Sequence, residues 1–138
     1  MEKAAERIAN LPEPIQRHVY PDDPYWCYVP KGWRDLVCKL NEHLEAIEPD
    51  YILHQVKEKF GGLRYYTLTP DRPNDEHDLF WILVSYYENL SFRVCDKCGE
   101  RGRLYKKRGY IRTRCEEHAD GGELVEPNIL DKEFAKND

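Results

Sequence analysis

The chain has 138 residues with 41% hydrophobic and 12% aromatic content, five cysteines and a net charge of −5. That composition suits one domain, or one domain with a small appendage, and argues against wholesale disorder. No run approaches the roughly 18 unbroken apolar residues of a spanning helix, and the opening MEKAAERIANLPEP has no apolar h-region, so neither a membrane protein nor a secreted one is expected.

Residues 2–11 carry a short helical pattern that Pro12 and Pro14 stop. Residues 20–32, with three prolines and four aromatic rings, read as an irregular segment wrapping the core. Trp33, Leu36, Val37, Leu40, Leu44 and Ile47 then recur at three- and four-residue steps, which predicts an amphipathic helix ended before Pro49. Two β-like runs follow, Ile52–Phe60 and Leu63–Thr69, with Gly61-Gly62 between them as the expected two-residue turn. That turn sets Phe60 opposite Leu63, Lys59 opposite Arg64 and Lys57 opposite Tyr66. Val56, Phe60, Leu63 and Tyr65 then suit the core, while Lys57, Lys59, Arg64 and Tyr66 share the other face. A second helix is predicted from Asp75 to about Ser91, with Leu79, Ile82, Leu83, Tyr86 and Leu90 on its core stripe. Its acidic start, Asp75, Glu76 and Asp78, suits the positive end of the helix dipole. The fold class is α+β: a helix–β-hairpin–helix body over 1–92, an appended zinc-ribbon or treble-clef-like segment over 93–119, and an acidic C-terminal tail over 120–138.

The strongest chemical signal is Cys95-x2-Cys98-Gly99, followed by Cys115-x2-His118. Three thiolates and one imidazole are the usual complement of a closed tetrahedral zinc site. Two residues between ligands let a tight knuckle turn both sulfurs toward one ion. Two short runs, 103–106 and 109–113, are expected to pair as a hairpin between the knuckle and a short helix carrying His118. Four protein ligands leave no position for a reactive water, so the zinc is read as structural. Disulfides are disfavoured in the reducing compartment expected here, and rubredoxin-like iron would need a fourth cysteine. Cys27 and Cys38 read as buried small hydrophobes. The cluster Asp75-Glu76-His77-Asp78 needs no role beyond a helix start. With no phosphate loop, nucleophile elbow or HExxH motif, the chain is read as a non-enzyme.

Charge is unevenly spread. Residues 1–92 sum to −6 and 115–138 to −6, but 93–114 hold nine bases against two acids. The basic block contains Arg103, Lys106, Lys107 and Arg108, with Tyr105 and Tyr110 interleaved. Such a segment suits phosphate contact and base stacking, or it is a solvated hairpin pairing with the acidic tail. On the first hairpin, Lys57, Lys59, Arg64 and Tyr66 form a second candidate partner surface, whose plain alternative is again a solvated face.

The phrase QVKEKFGGLRYY (Gln55–Tyr66) and the later CDKCGERGRLYKKRGYIRTRCEEHA (Cys95–Ala119) together resemble a family of small phage and prophage zinc-binding proteins. The likeness covers roughly residues 33–119, and the added bases at Lys106–Arg108 and the acidic tail depart from it. It implies an accessory protein in the cytoplasm of a bacterial host cell and supplies no activity. The function expected is binding a macromolecular partner, foremost a host protein such as a defence or replication component. The alternative is a nucleic-acid-binding protein using the basic zinc hairpin.

Overall fold

The computed structural model describes residues 2–20, 27–70, 72, 75 and 77–125, without the side chains of residues 2 and 3. Two short helices, α1 (Glu2–Ala9) and α2 (Glu13–Gln16), are separated at Pro12, and Pro14 sits in the first turn of α2 where its missing N–H costs nothing. A 3-10 turn over Lys31–Trp33 leads into α3 (Arg34–Ile47), which buries Leu36, Val37, Leu40, Asn41 and Leu44. The predicted stripe is therefore the core face of this helix. Much of the wrapping segment before it, residues 21–26, lies outside the described residues.

Strands β1 (Ile52–Lys59) and β2 (Gly62–Leu68) form the antiparallel hairpin. Its register differs from the expected one. Lys59 pairs with Gly62, Glu58 with Leu63, Lys57 with Arg64 and Val56 with Tyr65. The turn is Phe60-Gly61, with φ of 52° and 89°, the pattern of a type I′ turn. Gly62 is instead a strand residue, and glycine is needed there because a Cβ would lie 2.3 Å from the Phe92 ring. The slip amounts to two residues, an even number, so each side chain keeps its predicted face. Phe60 is the exception: expected in the core, it stands at the turn and is 69% exposed.

Both hairpin edges are partly covered among the described residues. The backbone of His18–Val19 and Cys27–Tyr28 bonds along β1. On the β2 side, the Leu63 N–H donates to Ser91 Oγ at 2.8 Å and the Tyr65 N–H donates to Glu88 Oε2 at 2.9 Å. Both acceptors come from the end of α4 (Leu79–Leu90) and the 3-10 turn Ser91–Arg93 that follows it.

Helix α4 starts later than predicted. Asp78 is its N-cap, accepting the Phe80 N–H at 3.2 Å, while Asp75 makes a separate turn with His77 before it. Its core stripe is only partly the predicted one: Leu83 and Leu90 pack against the core as expected, but the fully buried residues are Phe80, Val84 and Tyr87, and Leu79, Ile82 and Tyr86 are exposed. Both stripes are apolar, so helical period alone did not distinguish them.

The remaining chain forms a three-stranded antiparallel sheet in the order β4-β3-β5, from β3 (Arg103–Lys107), β4 (Tyr110–Arg114) and β5 (Glu123–Leu124). Arg108-Gly109 makes a second turn with both φ values positive. Strand β5 lies in the stretch read as an acidic tail, of which residues 126–138 fall outside the described residues. The molecule thus mixes helices with antiparallel sheets, the α+β class expected. No helix among the described residues is long and apolar enough to cross a membrane.

Candidate metal centre

The four predicted ligands converge. Cys95 Sγ, Cys98 Sγ, Cys115 Sγ and His118 Nδ1 belong to one group whose ligand atoms all lie within 4.8 Å of one another. Cys98 and Cys115 place their sulfurs 3.7 Å apart; an ion bound tetrahedrally at about 2.3 Å from each would hold them at roughly 3.8 Å. His118 Nδ1 is 3.2 Å from Cys115 Sγ and 3.8 Å from Cys95 Sγ, on either side of the roughly 3.6 Å that mixed sulfur and nitrogen ligands require. The donor set fits a metal ion. All four positions are filled by protein, so the geometry is that of a closed site.

Local sequence builds the two ligand pairs. After Cys98, Gly99 takes φ of 84°, which a side chain would strain, and its N–H donates to the Cys95 carbonyl at 2.9 Å. Cys115 precedes a single 3-10 turn, Glu116–His118, and the His118 N–H closes that turn on the Cys115 carbonyl. Spacing of two residues therefore produces one knuckle and one turn, each presenting two ligands to the same point.

The sulfurs are unlike one another. Burial opposes ionisation of Cys95, but backbone N–H groups of Cys115, Cys98 and Lys97 outweigh it and hold its pKa at about 7. Cys98 accepts the Glu100 N–H, yet partial desolvation and the neighbouring Cys95 and Cys115 sulfurs push it up to about 11. Three ionised sulfurs this close repel one another. A divalent cation at their centre removes the conflict, because thiolates bind it deprotonated.

The knuckle is docked on the body. Trp33, fully buried, donates its Nε1–H to the Val94 carbonyl at 2.8 Å, and the Gly32 N–H donates to the Asp96 carbonyl at 2.9 Å. The contact is so close that a Cβ on Gly32 would lie 2.0 Å from the Cys95 carbonyl oxygen. The hairpin turn meets the other side of the segment. Thr113 Oγ1 donates to the Gly61 carbonyl at 2.5 Å, and Glu58 joins both halves by accepting the Gly61 N–H at 2.6 Å and Arg112 Nη1 at 2.7 Å. Within the segment, Asp96 pairs with Arg114 at 2.5 Å, burial raising the Asp96 pKa against the pull of that guanidinium.

The predicted partner residues fall in two places. Lys57, Lys59, Arg64 and Tyr66 share one face of the first hairpin, with Lys57 rather than Lys59 directly across from Arg64. In the second sheet the basic block divides. Arg103 and Lys107 alternate with Leu104 and Lys106 onto opposite faces, and Arg108 sits in the turn. Lys106, opposite Ile111, is thus separated from Arg103 and Lys107. Sequence reading missed Gly32, Glu58 and Asp96, whose partners lie far along the chain, and it missed the exposed stripe of α4. Asp75, His77 and Asp78 form no metal cluster among the described residues.

No family model, no curated protein and no solved structure matches the chain.

Proposed function

We propose that this protein is a zinc-stabilised accessory protein of phage or prophage origin that acts in the host cytoplasm by binding a host protein. One observation carries the reading: α4 is apolar on two sides. A helix hydrophobic nearly all round belongs in an interior, yet Leu79, Ile82 and Tyr86 are 55%, 48% and 59% exposed. The only charged residue on this helix is Glu88, which is committed to the hairpin edge. Exposed apolar stripes of this kind mark protein contacts, and tyrosine is a favoured anchor there. The phage context rests on the hairpin and ligand motifs. Zinc is the ion of choice for a closed set of three thiolates and one imidazole, and its work here is to hold residues 93–125 in place.

Affinity capture from bacterial lysate after nuclease treatment tests the proposal. The wild-type chain is expected to retain a stoichiometric protein, and the double variant Ile82→Glu/Tyr86→Glu to lose it while keeping its thermal midpoint. Retention of the same protein by the variant contradicts the assignment to α4. Reversal of Lys57, Lys59 and Arg64 to Glu reports separately on the basic hairpin face, where weakened capture is expected.

A further inference from the structure

We infer that the outward face of the three-stranded sheet is a second binding surface, independent of α4, and that it takes single-stranded nucleic acid. Strand alternation sorts this sheet into two unlike faces. One packs on the body: Leu104 and Ile111 lie over Gly61, and Thr113 is fully buried. Register puts Arg103, Tyr105, Lys107, Tyr110, Arg112 and Arg114 on the other, so every residue that β3 and β4 place there is a base or a tyrosine. This face opens as a groove of about 320 Å³, with Arg108 at its rim.

The arrangement matches two needs of one ligand. Phosphates need cations, and flat bases need aromatic rings set beside them. Tyr105 and Tyr110 are diagonal neighbours across the strand pair, roughly 7–8 Å apart in such a ladder, close enough to take neighbouring bases. Tyr110 is 67% exposed, and the Arg112 guanidinium lies 5.7 Å from its ring centroid, which steadies the ring. Three of the cations are already anchored: Arg112 on Glu58, Arg114 on Asp96 and Lys107 on Asp120. An arginine has five N–H donors, so an anchored guanidinium still has donors for a phosphate and loses less side-chain freedom on binding. Arg103 and Arg108 are exposed. The remainder of the chain is net acidic, which repels a polyanion elsewhere and confines it to this face. Base stacking requires unpaired bases, so the occupant is a single strand rather than a duplex.

The test is fluorescence anisotropy of the zinc-loaded full chain with labelled oligothymidylate, oligouridylate and a duplex of equal length. Binding to either single strand is expected, and which of the two binds identifies the source as DNA or RNA. With about three phosphates neutralised, affinity should fall about 20-fold between about 50 and about 200 mM salt. Tyr110→Ala should weaken binding about tenfold with the salt slope unchanged, and Tyr110→Phe should restore it. Arg108→Asn, which preserves a turn residue tolerant of positive φ, should lower the slope by about 0.7. Ile82→Glu in α4 should change nothing. Equal or tighter binding of the duplex, no binding to either strand, or full affinity in both Tyr110→Ala and Arg108→Asn overturns the inference.

Discussion

A methyl group on Gly32 has nowhere to go. Its ideal position is 2.0 Å from the Cys95 carbonyl oxygen and 2.7 Å from the Asp96 carbonyl carbon, both backbone atoms that no rotamer can move. Gly32→Ala should therefore push the ligand knuckle off the body, lowering stability by about 1–3 kcal/mol and quickening metal release to a chelator. Denaturant melts and a chromogenic chelator measure the two effects; an unchanged release rate would mean that the docking contact does not support the site. The contrast with the ligands shows what a sequence makes legible at this scale. Cys95, Cys98, Cys115 and His118 declare themselves because each pair is assembled by one local turn, so spacing carries the geometry. Gly32 meets a segment more than sixty residues away, and Glu58 meets Arg112 across fifty-four. Nothing local marks either.

Helix α3, Tyr51 just before β1, and strand β2 are tied by a chain of buried polar groups. Tyr51 Oη donates to Asn41 Oδ1 at 2.6 Å and lies 2.7 Å from Tyr65 Oη, while Asn41 Nδ2 donates to Glu45 at 2.7 Å. His18 stacks on Tyr51 with ring centroids 3.8 Å apart. Burial pushes both tyrosine pKa values upward, so the folded chain holds these protons more tightly than the unfolded one. The sign follows: their contribution is whole below the unfolded value near 10 and drains away above it, by about 1.4 kcal/mol per pH unit for each hydroxyl. Urea unfolding from neutral to strongly alkaline pH should show this loss, and Tyr65→Phe should make it about half as steep. An equal slope in that variant would place the alkaline sensitivity elsewhere. Element types were legible here and their details were not. The Gly61-Gly62 pair announced a hairpin, but the turn fell one residue earlier, and Gly62 is glycine because Phe92 packs against it, a contact no local pattern marks. For α4 the period was right and the phase only partly so: Leu83 and Leu90 reach the core while Leu79, Ile82 and Tyr86 do not, since a helix with two apolar stripes does not reveal which one the core takes.

At the scale of the molecule, the metal-ligand segment and the body interlock at two points, the Gly32–Trp33 corner and the Phe60–Gly61 turn. Residues 93–125 contribute little to the main apolar core, whose buried members run from Leu11 to Tyr87 with Val94 packed at its edge. A segment so poor in apolar interior is the kind that a bound metal commonly holds in shape, and its four converging ligands fit one. The proposed zinc is therefore tested most directly by the metal content of the purified full chain, measured by mass spectrometry under native conditions and compared with His118→Ala. One zinc per wild-type chain and none in the variant are expected, and in a background where Trp26 and Trp81 are replaced by Phe the Trp33 emission should shift to the red in the variant as the docking contact loosens. A folded wild-type chain with no bound metal, or a His118→Ala variant whose emission in that background is unchanged, would overturn the metal's structural role.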